Sequence, residues 1–211
     1  RDLLEVEEKE SEILLGYLPK QLSEEETKKI CTQTASKLGA NSIKDMGHDL
    51  KIVDCCLEDQ PADSLWFRDQ LRQFQPELVG VSAWSILFPE ALSVLSVAKQ
   101  ELNKVTTLLG GPHATSHANS VLEYDQIDYV IRGEGEKAFP EFLDFLMMKR
   151  EISDVSGLCW KGPDKIEQNP TNLVQNVDEL PLPDYDIIQL QRYWKAGYRY
   201  NTKETKNAPL W

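Results

Sequence analysis

The chain has 211 residues, a formal net charge of −12 at pH 7 and 41% hydrophobic residues. That length fits one domain with an appendage, and the apolar content suffices for a buried core. The acidity argues against nucleic acid or an anionic membrane as the main partner, because both call for basic patches. Residues 1–11 form an acidic lead-in with no apolar signal-peptide core, and no apolar run approaches the twenty or so residues of a membrane span. The cysteines, Cys31, Cys55, Cys56 and Cys159, show no C-x-x-C pair and no trio spaced for an iron–sulfur cluster. Free thiols in a reducing cytoplasm are the expectation.

In chain order, residues 12–17 form a short apolar run that predicts a buried strand, stopped by Pro19. Ser23 and Glu26 make a capping box, so a helix is predicted to about Lys37, and a second helical stretch runs from Gly39 to Met46. Residues 50–55 predict a second strand, and residues 62–74 a helix closed by Pro76. The third strand is 78–82. Pro89 opens the next helix, with Ala91, Leu92, Leu95, Ala98 and Leu102 toward the core. Residues 105–109 predict the fourth strand, 116–124 a short helix, 127–131 the fifth strand and 136–149 the last long helix.

Strand–helix alternation repeated five times predicts an α/β fold. The expected form is a Rossmann-like or flavodoxin-like open five-stranded parallel sheet, order 2-1-3-4-5, with helices on both faces. Residues 12–150 form that domain. Residues 151–211 add a β-hairpin, with a turn at Gly162-Pro163, and an extended linker through Leu180-Pro181-Leu182-Pro183.

Ligands of such sheets bind beyond the C-terminal strand ends. The residues there are Gly16-Tyr17-Leu18-Pro19 after strand one, Ser82-Ala83-Trp84-Ser85 after strand three, Gly110-Gly111-Pro112-His113-Ala114-Thr115 after strand four, and Arg132-Gly133-Glu134-Gly135-Glu136 after strand five. Glycines let backbone N–H groups approach a ligand closely, which suits a broad planar molecule; the same turns also occur in purely structural domains. Trp84 reads equally as core or as a cap on a ligand face. Glu134 and Glu136 would repel a nucleotide phosphate. They are open to ligand amides or hydroxyls, or to a structural role in which Glu136 favours the helix dipole and Arg132 pairs with it. His113 and His117 are four apart but lack an obvious third metal ligand, and His48 reads as a surface turn residue. No metal site and no catalytic residue is assigned.

Five runs occur in a telling order: 47–54, 76–82, 110–115, 127–136 and 178–185. Together they resemble the N-terminal half of the cobalamin-dependent radical S-adenosylmethionine (SAM) enzymes. That family includes methyltransferases and the anaerobic magnesium-protoporphyrin IX monomethyl ester oxidative cyclase type. The resemblance implies a cobalamin-binding domain that seats the corrin against the strand ends. Its implied corrinoid contacts are Ser82, Trp84, Gly110, Gly111, Pro112, His113, Arg132, Gly133, Glu134 and Gly135. It implies a C-terminal radical SAM domain as partner in the same parent chain, carrying a 4Fe-4S cluster and S-adenosylmethionine outside these 211 residues. Residues 207–211 resemble the run upstream of that domain's cysteine motif, so this chain is not expected to be catalytic by itself. The Asp-x-His-x-x-Gly motif of methionine-synthase-type domains is absent, Asp45 and His48 being wrongly spaced. Two other readings stand beside this one. The first is a degenerate α/β scaffold or partner-binding module that no longer binds cobalamin. The second is a flavin or nucleotide domain, against which the acidic loop after strand five argues.

Overall fold

The computed structural model describes residues 47–55, 57–176, 178, 180 and 189–195. The expected lead-in, the strand at 12–17, both N-terminal helices and most of the Pro-rich linker lie outside the described residues, as do Cys31 and Cys56. Within them, three strands run parallel: β1 (Leu78–Ser82), β2 (Thr106–Gly110) and β3 (Tyr129–Ile131). These runs are apolar or β-branched, and β2 is buried through Thr107, Leu108 and Leu109, as a strand covered on both faces must be.

Helices lie on both faces. α1 (Leu65–Phe74) starts at Ser64, whose hydroxyl accepts from Phe67 N–H, and it packs Phe67 and Leu71 against Val97, Ala98 and Leu102. A 3-10 turn (Ser85–Leu87) leads into α2 (Phe88–Glu101), where Pro89 occupies a first-turn position that has no helical N–H bond to lose. α3 (Gly111–Val121) joins α2 in covering one face, through Ala91, Leu95, Ala114, Ala118 and Val121. α4 (Gly135–Leu146) covers the other with Ala138 and Phe142, packed on Leu108, Ile131 and Leu158. Burial of Phe142, fully shielded, contributes about 1.5–3 kcal/mol.

Three expectations are corrected. First, the sheet of the described residues is mixed rather than all parallel, in the order β1-β2-β3-β4-β5; β1, β2 and β3 are the expected third, fourth and fifth strands and lie side by side in that order, while the first strand of the expected 2-1-3-4-5 order falls outside the described residues. β4 (Leu158–Lys161) runs antiparallel beside β3, and β5 (Ile166–Gln168) antiparallel beside β4. The reason lies in the period-two burial of β4: Leu158 enters the α4-side core and Cys159 the α3-side core, so this strand belongs inside a two-faced sheet. Second, residues 50–55 pair with no described strand. Val53 and Cys55 pack beside α1, Leu50 and Ile52 are exposed, and the chain then turns, with Glu58 N–H donating to Asp54 O and Gln60 N–H to Cys55 O. Third, α3 begins at Gly111 rather than near Ser116, because Pro112 fits a helix's first turn; a kink falls at His117.

At the opposite end from the glycine loops, Thr107 is fully buried. Its hydroxyl lies 2.7 Å from Gln126 O and 2.9 Å from Asp128 Oδ2, and it accepts from Asp128 N–H at 3.1 Å. Asp128 also accepts from Lys99 Nζ at 2.6 Å. Thr107→Val removes the hydroxyl and takes this partner from the half-buried Gln126 carbonyl and Asp128 N–H. The expected loss is about 1–3 kcal/mol in urea unfolding; an unchanged midpoint would show that this network carries no stability.

Candidate functional site

Ser82 stands opposite Gly110 in the parallel register, and Leu109 opposite Val130. The three chains therefore leave the sheet at one edge, and their loops form a rim. The first two loops interlock through backbone: Ala83 N–H donates to Gly110 O, and His113 N–H to Ala83 O, both at 3.1 Å. Gly111 makes this possible. Its φ is +90°, and a Cβ there would stand 2.7 Å from Ser82 Oγ and 2.8–2.9 Å from the Ala83 backbone. Only glycine fits both constraints.

His113, placed in the first turn of α3, joins the loops a second time. Its Nδ1 lies 3.0 Å from Ser85 Oγ, and its ring packs on Phe88 at 4.4 Å and stacks on His117 at 4.7 Å between centroids. Burial, and secondarily the His117 ring, hold its pKa below the ordinary histidine value. The ring is accordingly neutral at pH 7 and serves as a packed hydrogen-bonding group.

The third loop is tied to the second by Thr115. Its hydroxyl donates to Gly111 O and accepts from Gly133 N–H, both at 3.0 Å. Gly133 has φ +78°. Arg132 turns toward the hairpin, where Nη2 donates to Asn169 O at 2.7 Å, so the expected pairing with Glu136 is replaced by a bond to backbone. The Cys159 thiol lies fully buried near this guanidinium; burial raises its pKa and Arg132 opposes the rise. Glu134 accepts from Val174 N–H at 2.6 Å. Glu136 lies in the first turn of α4, where a carboxylate favours the helix dipole.

The rim is open. Ser82, Trp84, Ser85, Pro112 and residues 133–136 are exposed, Trp84 by 61%. Neither α3 nor α4 has a side-chain cap; at α3 Pro112 carries no N–H and His113 N–H is taken by Ala83 O, so the N–H donors of this edge come chiefly from the start of α4. Among the described residues no group of three His, Cys, Asp or Glu is placed to hold a metal. The arrangement offers neutral donors and an aromatic plane for binding.

The structure thus gathers Ser82, Trp84, Gly110, Gly111, Pro112, His113, Gly133 and Gly135 at one edge, and shows Arg132 and Glu134 already engaged by the chain itself. Sequence reasoning passed over Thr115 and Ser85 as struts of the rim. The four-residue spacing of Gly111 and Thr115 was the available signal, since a helix brings such positions together.

A B12 binding domain family model matches residues 29–143. The chain is similar to an uncharacterized methyltransferase of Pyrococcus horikoshii, 34% identical over 194 residues, which cover 88% of this chain and 41% of that protein. It is similar also to the anaerobic magnesium-protoporphyrin IX monomethyl ester cyclase of Rubrivivax gelatinosus, 28% identical over 151 residues, covering 69% and 27%. The chain therefore spans less than half the length of either relative. Among solved structures, the cobalamin-dependent S-adenosylmethionine radical enzyme OxsB with aqua-cobalamin and S-adenosylmethionine bound shares the fold. Its TM-score is 0.57 at 17% identity, over 74% of this chain and 22% of that one.

Two outcomes are expected from the rim's geometry. Gly111→Ala should lose about 1–3 kcal/mol in urea unfolding, from positive φ and backbone overlap together; full stability would mean the loops do not need this close approach. The depressed His113 pKa makes the unfolded chain bind the extra proton. Its contribution is present above about pH 6.5 and is lost as pH falls through the depressed value. Melting from pH 7.5 to 5 should show a slope that His113→Gln reduces, whereas an identical slope in the variant would contradict the assignment.

Proposed function

Because this chain belongs to the B12 binding domain family, we propose that the strand-end rim is where it seats the corrin of cobalamin, as the binding half of a larger radical SAM enzyme. The observation that carries the reading is the open edge itself. Ser82, Trp84 and residues 133–136 are exposed side by side on loops that backbone hydrogen bonds hold in place. A scaffold that had lost its ligand would be expected to fill that edge with side chains.

The residues present fit the group. A corrin is broad and nearly flat, with carboxamides around its rim, and it needs neutral hydrogen-bonding groups and close backbone approach more than charge. Gly110, Gly111, Gly133 and Gly135 allow that approach. Ser82 supplies a hydroxyl, Trp84 a face, and His113 and Pro112 the wall of the second loop. When bound, cobalamin supplies a cobalt centre able to carry a methyl group. The chain's own part is to bind the ring, fix its orientation and shield one face from water.

The proposed parent performs methyl transfer or oxidative cyclisation in the cytoplasm, with a C-terminal radical SAM domain holding a 4Fe-4S cluster and S-adenosylmethionine. Residues 12–150 then form the cofactor domain, and residues 151–211 the hairpin and linker toward that partner. No nucleic acid takes part.

Titrating the 211-residue chain with hydroxocobalamin tests the reading, the expected result being a shifted visible spectrum that co-elutes with protein. Gly110→Leu sharpens the test. A Cβ at Gly110 meets nothing within 4 Å, and φ there is −129°, so the backbone at this loop accepts a side chain. It should lower affinity at least about 10-fold, or about 1.4 kcal/mol, at unchanged melting temperature. No binding by this chain or by the longer protein that contains it would defeat the proposal.

A further inference from the structure

The family match ends at residue 143, yet the chain well past that point is built into the rim. Asn169, at the end of β5, is buried. Its side-chain amide donates to the Ile152 and Val155 carbonyls at 2.7 and 2.8 Å, and its N–H to Leu158 O at 2.8 Å. Its carbonyl accepts from Arg132 Nη2 at 2.7 Å. Gly157 adds two backbone bonds, accepting from Arg132 N–H at 3.0 Å and donating to Pro170 O at 2.8 Å. The Thr171 methyl lies 3.6 Å from where a Gly133 Cβ would stand. The Val174 N–H then donates to Glu134 Oε2. Arg132 and Glu134 are thus hydrogen-bonded to one strap, residues 169–174, which passes beside Gly133 between them.

Arg132 and Glu134 are the two charged residues of that loop at positions implied to touch cobalamin. Both already commit a hydrogen bond to the strap, and a carboxylate accepting a backbone N–H is among the stronger such bonds. Gly133, with φ +78°, lies between them, and glycine loses more conformational freedom on ordering than any other residue. A strap that orders the loop beforehand removes that loss from the binding step.

Resting on the cobalamin reading of the rim, we infer that residues 169–174 are a positioning element of the site. Arg132 and Glu134 act through this strap and not on the ligand.

Four proteins test this, all in the 211-residue chain: Glu134→Gln, Glu134→Ala, Val174→Pro and the E134A/V174P double variant. Each is measured by amide hydrogen exchange and by hydroxocobalamin titration. Glu134→Gln keeps an oxygen that can accept from Val174 and should bind within about twofold of the parent. Glu134→Ala and Val174→Pro break the same bond from opposite sides. Each should speed exchange at Gly133 and Gly135, leave Leu108 and Leu109 protected, and weaken binding about 10-fold. The double variant should lose no more than either single one. Additive losses, or a Gln variant as weak as the Ala variant, would overturn the inference, because Glu134 would then be acting on the ligand. Exchange reads the strap without cobalamin. A parent chain that does not bind hydroxocobalamin defeats the cofactor reading, and unchanged exchange at Gly133 and Gly135 defeats the strap.

Discussion

Two backbone hydrogen bonds, Ala83 N–H to Gly110 O and His113 N–H to Ala83 O, lock the loop after β1 onto the loop after β2. The whole strand-end edge depends on that lock. It requires glycine at 111, because the Ala83 backbone occupies the space a side chain would take. It sets where α3 starts, and so places His113 against Ser85 and Phe88 and lets Thr115 reach across to Gly133. Backbone joins the first two loops, and the Thr115 hydroxyl joins the second to the third. Ser82, Trp84 and Pro112 are left exposed at the edge.

The second constraint comes from the antiparallel pair added beyond β3. By pairing with β3, β4 brings Gly157 and Asn169 beneath Arg132, so the loop carrying the most charge is braced from the far side of the sheet. Gln168 and Asn119 are hydrogen-bonded, and Lys161 Nζ donates to Tyr124 O at 3.1 Å, so the pair is tied to α3 as well. A B12 binding domain that ended at the last residue of the family match would lose these braces. In this chain the third loop and the hairpin of β4 and β5 are one piece of structure.

Much of this was legible in the sequence, and the failures have definite causes. The strands at 78–82, 106–110 and 129–131 announce themselves as short apolar runs that end in glycine or small polar residues, and Pro89 marks the start of α2. Leu158 to Lys161 reads as a hairpin strand from local pattern, but nothing local says which neighbour it chooses. Its two-sided burial becomes visible only when α3 and α4 are in place. Residues 50–55 have a strand's composition without a described partner to ladder with, and composition alone does not supply hydrogen bonds. The glycines of the rim were legible because their spacing after strands has a mechanical reason. The bonds made by Arg132 and Glu134 were hidden for the opposite reason. A charge beside a glycine reads as a ligand contact, and the partners the structure gives them, Asn169 and Val174, lie 37 and 40 residues further on.

A corrin seated on the rim formed by these three loops changes the surroundings of their backbone amides, which chemical shifts of the chain recorded with and without hydroxocobalamin report. Ser82, Gly110, Gly111, Gly133 and Gly135 should shift together while Thr107 and Asp128, at the other end of the strands, stay in place. Shifts gathered at that opposite end, or none at saturating ligand, would contradict this seating.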